Sequence, residues 1–303
     1  MKILIVGGTG MIGGHAALRL HAKGHEVTIA GRNEAAPGSA LAKLPFLRID
    51  FTADEQPANL LSQFEALVFA AGNDIRHLPK GEDFDAYVTR VNAACAPRFC
   101  RAARDAGVRR FINIGSFYPQ AAPHLLAGNA YMRSRQAADT AIRALAGDDF
   151  FAVSINAPFV IGAVPGLTTM FRSYVGFAEG KFAPMPQAVP PGGVNFISTD
   201  SLSDAIEAVL VGGRNGHAYL VGDENLSFQE YFGAFFEALG KPAPLVVDAE
   251  FPLLPDAAIS WGRGNNLYYE PDEGEAAELG YRRNDVRRTI REEIVPQFRD
   301  MAR

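Results

Sequence analysis

Cysteine is scarce: the 303-residue chain has two, Cys95 and Cys100. Two thiols cannot supply the ligand quartet of a structural zinc site, and one pair in a helical stretch is no disulfide framework. They read as free, buried thiols in a reducing compartment, which makes the cytoplasm the expected location. No apolar run approaches the ~18 to 20 residues that a membrane-spanning helix needs. The apolar N-terminal stretch is broken by glycines and lacks a convincing cleavage site, so it does not read as a secretory signal. Positive charge is not in excess. Against 29 Lys and Arg stand 34 Asp and Glu, for a net charge of −5, and no basic run of five occurs. That balance disfavours a nucleic-acid partner. Internal repeats and low-complexity segments are also missing, which removes repeat arrays and disordered tails.

What remains is an ordinary globular composition, 48% hydrophobic and 21% charged, in a chain long enough for one large domain or two modest ones. Its organising stretch is the first thirty-odd residues. Lys2 to Val6 is a short β-branched run suited to a strand buried on both faces. Gly7, Gly10 and Gly13 follow at three-residue spacing. Ile12, Ala16 and Leu20 then recur with helical period, Gly24 stops the helix, and Glu26 to Ala30 reads as a second strand. Strand, glycine turn, helix and strand form the βαβ unit that holds a dinucleotide. Glycines let the main chain approach a pyrophosphate, and the helix N-terminus meets its charge. The turn, with Thr9, Met11 and Ile12 beside the glycines, is therefore the candidate cofactor cradle.

Further strands are expected at Phe46–Ile49, Ala66–Ala70, Arg110–Gly115 and Phe151–Asn156. Helices are expected at Asp85–Ala106, kinked or split by Pro97, and at Asn129–Leu145. This alternation implies an α/β fold, a Rossmann-type doubly wound parallel sheet, with a smaller C-terminal α/β substrate-binding region. Residues 1–160 form the dinucleotide-binding part, to which the chain returns around 195–212. Residues 161–303 form mainly the substrate region. The stretch 162–194, rich in Gly, Pro, Phe and Met, reads as a loop-and-helix cap. Ligands in such sheets sit beyond the carboxyl ends of the strands, where Gly7, Arg32, Asp50, Ala71 and Ser116 fall.

Chemistry is suggested by INIGSFYPQ and NAYMRSRQAAD. Ser116 follows the fifth strand, Tyr131 opens the next helix, and Arg135 lies one turn on, on the same face. A phenol is a poor acid–base group at neutral pH, and a fixed cation one turn away favours its phenolate. A serine hydroxyl nearby can hold a carbonyl oxygen or an alcohol. Tyr118 and His124, in the loop between Ser116 and Tyr131, are weaker candidates for substrate contact. Trp261, Phe171 and Phe177 are core residues by default and pocket residues by alternative. His15, His21 and His25 do not read as a metal site, and no other metal ligands are expected.

The chain resembles the extended short-chain dehydrogenase/reductases of the NAD-dependent epimerase/dehydratase type. GGTGMIG resembles that family's TGxxGxxG, FINIGS its serine-bearing strand, and YMRSR stands where the family has YxxxK. INAPFVIG and NFISTDSLSDAI resemble two further family segments. The resemblance implies Ser116, Tyr131 and Arg135 as the catalytic group, with Tyr131 and Arg135 also touching the cofactor. It implies Asp50 and Phe51 beside the adenine, with Ala70, Ala71 and Gly72 lining the cofactor. It further implies Asn92 at the cofactor, near the active site, and Pro158 and Val160 beside the nicotinamide. A homodimer is implied in the same way. Three departures stand out. Arginine replaces the family lysine at 135, keeping the charge without the ability to relay a proton. Ala157 replaces an arginine, and VIG replaces VYG. The ribose-binding carboxylate of NAD enzymes would fall at Gly31, which Arg32 and Asn33 follow. A missing carboxylate and an available arginine favour NADP(H), with NAD possible. The reading is an NADP(H)-dependent oxidoreductase that interconverts a small-molecule ketone or aldehyde and its alcohol. The alternatives are a nucleotide-sugar epimerase or dehydratase on tightly held NAD, and a non-catalytic NADP-sensing protein.

Overall fold

The computed structural model describes residues 1–299. Its centre is a seven-stranded sheet. Six of the strands are β1 (Lys2–Val6), β2 (Glu26–Gly31), β3 (Phe46–Arg48), β4 (Ala66–Phe69), β5 (Arg110–Ser116) and β6 (Phe151–Ala157). The seventh, Ala218–Leu220, pairs with β6, and the order across the sheet is that strand, then β6, β5, β4, β1, β2 and β3. All neighbours run parallel. Chain order reverses between β1 and β4, which opens a crevice at their carboxyl ends.

The strands are apolar on both faces because both faces are covered. The helices Met11–Ala22 and Thr199–Gly212 pack on one face, burying Ile3, Ile5, Val68, Ile112 and Ile114 against Ala16, Leu20, Leu202 and Ile206. The helical stretches Ala96–Asp105 and Ala130–Arg143 cover the other, over Leu4, Leu67, Phe69 and Phe111. A third core lies in the C-terminal half and is strongly aromatic, with Phe171, Phe177, Phe196, Phe228, Phe232, Phe235 and Phe236 among its buried members. Trp261 belongs to this core.

The expected elements recur with two informative differences. The helix expected over 85–106 starts at Phe84, capped by the Asp83 carboxylate on Ala86 N–H at 2.8 Å. It then widens into a π-helical segment, Thr89–Cys95, before continuing as Ala96–Asp105. Pro97 sits in the first turn of that last segment. Proline lacks an N–H and crowds the carbonyl four residues back, and the widened turn absorbs both defects. In the second half, the short strand that the sequence suggests at Asn195–Ile197 is present as Gly193–Ser198, and it gathers three further short strands into a small sheet. Phe159–Ile161 and Asn266–Leu267 run parallel to Gly193–Ser198, and Glu224–Ser227 runs antiparallel to it. The return to the main sheet extends to Leu220, further than residue 212.

Candidate active site

The glycine turn is fixed by what a side chain would strike. Gly7 has φ +82°, and a Cβ there would lie 2.6 Å from the Ala70 carbonyl oxygen. A Cβ on Gly13 would lie 2.5 Å from Gly7 O. These two glycines let β1, β4 and the first helix meet. Gly10 differs. It is exposed, and a Cβ there would meet only Gly7 O at 3.4 Å, an ordinary distance. Gly10 caps the helix Met11–Ala22 without a side-chain hydrogen bond, and no acidic residue sits in the first turn. The first-turn N–H groups therefore have no protein anion to meet, which is the setting a phosphate requires. Thr9, Met11 and Ile12 are half-buried around that opening.

The loop after β4 forms the opposite wall. Ala70, Ala71 and Gly72 are half-buried, whereas Asn73 is buried. Asn92, on the π-helical segment, pins Asn73: its Oδ1 accepts from Asn73 N–H at 3.1 Å, and its Nδ2 donates to Asn73 O at 2.9 Å. Asn92 Nδ2 also reaches Ser134 Oγ at 3.2 Å, and the Tyr87 hydroxyl donates to Asn73 Oδ1 at 2.8 Å. Asn92 thus supports the wall from behind. Neither Asn73 nor Tyr87 carries a motif that would single it out in the sequence.

Ser116 ends β5 and is buried. Tyr131 is half-buried at the start of the helix Ala130–Arg143, whose N-terminus is capped by Asn129 Oδ1 on Met132 N–H at 3.0 Å. Its ring meets Tyr118 edge to face, with centroids 6.2 Å apart, and Tyr118 lies 6.2 Å from Trp261. Burial pushes the Tyr118 hydroxyl up, Tyr131 adds to this, and a hydrogen bond with Ser260 opposes it. Phe159 meets Trp261 at 5.8 Å. Tyr131 therefore meets one aromatic ring, Tyr118, which leads on to Trp261 and Phe159. Arg135 donates from Nη2 to the Ile114 carbonyl at 2.8 Å, and its guanidinium lies against Gly72. His124 is exposed on the turn Pro123–Gly128. Pro158 is buried and Val160 half-buried just past the end of β6.

At the other end of the crevice, Arg32 and Asn33 are exposed directly after β2. Arg48, which the sequence reading passed over, pairs with Gly31 in register and donates to Arg32 O at 2.9 Å. Two arginines thus stand at the ends of adjacent strands. The Asp50 carboxylate accepts from both N–H and Oγ1 of Thr52, at 2.9 and 2.7 Å. The Phe51 ring turns inward, edge-on to Phe69 with centroids 5.0 Å apart, so only its main chain can face a ligand.

Asp74 and Arg76 were also unread. Arg76 binds Asp74 through Nε and Nη2, extends Nη1 to Met170 Sδ at 3.4 Å, and feels Tyr131 and Tyr174 electrostatically. Burial would raise the Asp74 carboxyl, but hydrogen bonds from His77 and Arg76 outweigh it and hold the group well below the usual range. Away from the crevice, His15 does meet two carboxylates, Asp200 and Glu293, both distant in sequence. Arginines already compensate them: Arg288 contacts both at 2.8 Å and Arg282 reaches Asp200 at 3.3 Å. His21 and His25 take no part in that cluster.

No helix among the described residues is long and apolar enough to cross a membrane. The sequence matches no curated protein. In structure, the chain is similar to a UDP-glucose-4-epimerase from Stenotrophomonas maltophila with bound NAD and formylated UDP-arabinopyranose. The TM-score is 0.76 at 18% identity, over 99% of this chain and 98% of that one. It is also similar to a UDP-N-acetylglucosamine 4-epimerase from Bacillus cereus, with TM-score 0.73 and 15% identity over 100% and 98%. A dTDP-glucose 4,6-dehydratase from Streptomyces venezuelae with NAD and TYD bound gives TM-score 0.71 and 22% identity over 99% and 98%. At these identities the likeness concerns the fold, which is the Rossmann-type arrangement described above. The family model that matches is that of the NAD dependent epimerase/dehydratase family, over residues 3–183. That span holds the glycine turn, Ser116, Tyr131 and Arg135, and the chain belongs to this family.

Proposed function

We propose that the protein is an NADP(H)-dependent oxidoreductase that interconverts a ketone or aldehyde and its alcohol. The observation that carries this reading is the juxtaposition at the carboxyl edge of the sheet. The uncapped helix N-terminus beside exposed Gly10, the Gly72 loop with Arg135 laid on it, and the start of the Tyr131 helix all follow strand ends on that edge. A dinucleotide fits these groups. Thr9 to Gly13 would take its pyrophosphate, and Arg32 with Asn33, supported by Arg48, would take the adenosine phosphate. Asp50 and the Phe51 main chain would flank the adenine. Ala70 to Gly72 would line the ribose path, Tyr131 and Arg135 would hold the ribose hydroxyls, and Pro158 and Val160 would border the nicotinamide.

A bound nicotinamide supplies or accepts the hydride. The protein's own groups manage the oxygen. The Ser116 hydroxyl donates to the substrate carbonyl oxygen and fixes its position. The Tyr131 hydroxyl delivers the proton to that oxygen in reduction and takes it back in oxidation. Arg135 stays charged throughout and offsets negative charge as it develops on the phenol oxygen. Tyr118, Phe159 and Trp261 make the neighbouring surface apolar, which favours a substrate of that kind and excludes water.

The second reading, a nucleotide-sugar epimerase or dehydratase on tightly held NAD, draws on family membership and on the names of the structural neighbours. Such a substrate needs cations for its diphosphate. Arg76 stands near Tyr131, but the Asp74 carboxylate already neutralises it. The test is consumption of NADPH against a panel of apolar aldehydes and ketones. Turnover on such substrates supports the reductase. NADPH left intact throughout, together with conversion of a nucleotide sugar on resident NAD, supports the second reading.

A further inference from the structure

Gly72 has no conformational reason to be glycine. Its φ lies outside the left-handed region in which Gly7 and twelve other glycines of the chain are found. Its two predecessors, Ala70 and Ala71, carry side chains in the same loop. What a Cβ at position 72 would meet first is the Arg135 guanidinium. Its three nearest atoms all belong to Arg135: Nη1, inside van der Waals contact, then Cζ at 2.9 Å and Nη2 at 3.1 Å. The same guanidinium donates from Nη2 to Ile114 O at 2.8 Å.

We infer that Gly72 is a positioning residue for Arg135, and that the missing side chain at 72 is what admits arginine, in place of the family's lysine, beside Tyr131. The planar guanidinium lies in the space left over Gly72 and ties the loop after β4, the end of β5 and the Tyr131 helix together. A lysine presents one compact ammonium on an unbranched stem and needs no such space. The pair therefore behaves as a unit. A methyl group at 72 costs the fold little, because the obstructing atoms are the far end of a flexible side chain. It expels the guanidinium all the same and breaks its bond to Ile114. The link from that displacement to cofactor affinity rests on the proposed function. The pairing itself does not.

The test uses Gly72→Ala, Arg135→Lys and the double variant of the full chain, with two readouts. Crystal structures report the position of the side chain at 135, and calorimetry reports NADPH affinity. In Gly72→Ala the guanidinium leaves Ile114 O, and NADPH binds about tenfold more weakly or worse. Added to Arg135→Lys, the same alanine changes affinity by less than ~2-fold. Failure of Gly72→Ala alone to fold, with rescue by Arg135→Lys, supports the same pairing. A guanidinium that stays in place over the new methyl group, an equal penalty in both backgrounds, or failure to fold in both would overturn it. If the wild-type protein binds neither NADPH nor NADH, the proposed function fails, and the crystal structures still decide the pairing.

Discussion

Asn92 holds Asn73 by both of its main-chain polar groups, accepting from the N–H at 3.1 Å and donating to the carbonyl at 2.9 Å. Both residues are buried, so neither bond can be replaced by bulk water. Asn92→Leu leaves two main-chain groups without partners and should destabilise the protein by about 2 to 4 kcal/mol. Asn92→Asp keeps the accepting half and should fall between wild type and leucine. Chemical denaturation of the three proteins checks the order. Equal stability for leucine and wild type would mean that the wall is held by something else.

The glycine turn separates two roles that the motif alone merges. Gly7→Ala combines a positive φ with a main-chain oxygen at 2.6 Å. It should cost roughly 1 to 3 kcal/mol or more in stability. Gly10→Ala meets nothing closer than 3.4 Å and should leave stability within ~1 kcal/mol while weakening cofactor binding about tenfold or more. Thermal melts and calorimetry on both variants check the contrast. Loss of stability at Gly10 with cofactor affinity unchanged would reverse the assignment.

Much of this was legible in advance, and the reasons are physical. The β1 turn, the parallel alternation and the Tyr131 helix are encoded locally, in runs of buried β-branched residues, glycine spacing and helical period. Asn195–Ile197 reads as a strand in the sequence, but the partners that make a sheet around Gly193–Ser198 were not legible. Its strands are two to six residues long and come from four distant segments, so no local periodicity announces them. Arg48, Asp74 and Arg76 stayed hidden for a similar reason. Each acquires its place through a partner: Arg48 through the Arg32 carbonyl, and Arg76 through Asp74 and Met170. Phe51 shows the converse. The family resemblance implies it beside the adenine, and side-chain alternation past β3 turns its ring into the core, so only its main chain is left to play that part.

Tyr131→Phe removes one oxygen and keeps the edge-on contact with Tyr118. Steady-state turnover should fall by at least ~100-fold, the scale of a lost general acid. NADPH affinity should stay within ~3-fold, because the phenol is one of several groups proposed to hold the cofactor. Ser116→Ala should lower turnover in the same assay. Full activity in Tyr131→Phe would remove the phenol from the mechanism.

Cys100 is fully buried, and burial pushes its thiol well above the ordinary cysteine range. The thiolate is the reactive form. Native protein at pH 8 should therefore modify Cys100 at least ~100-fold more slowly than unfolded protein does, as followed with a chromogenic disulfide reagent. Denaturant should release both thiols, those of Cys95 and Cys100. Rapid labelling of Cys100 in the native state would mean that the Ala96–Asp105 helix opens readily.

The proposed function requires an exchangeable, phosphorylated nicotinamide cofactor held at one end by Arg32. Calorimetric titration of cofactor-stripped protein with NADPH and with NADH tests it most directly. NADPH should be preferred by about tenfold or more, the scale of a charge-assisted phosphate contact, with the preference lost in Arg32→Ala. Preference for NADH, or a dinucleotide that cannot be stripped, would contradict it and favour the nucleotide-sugar reading.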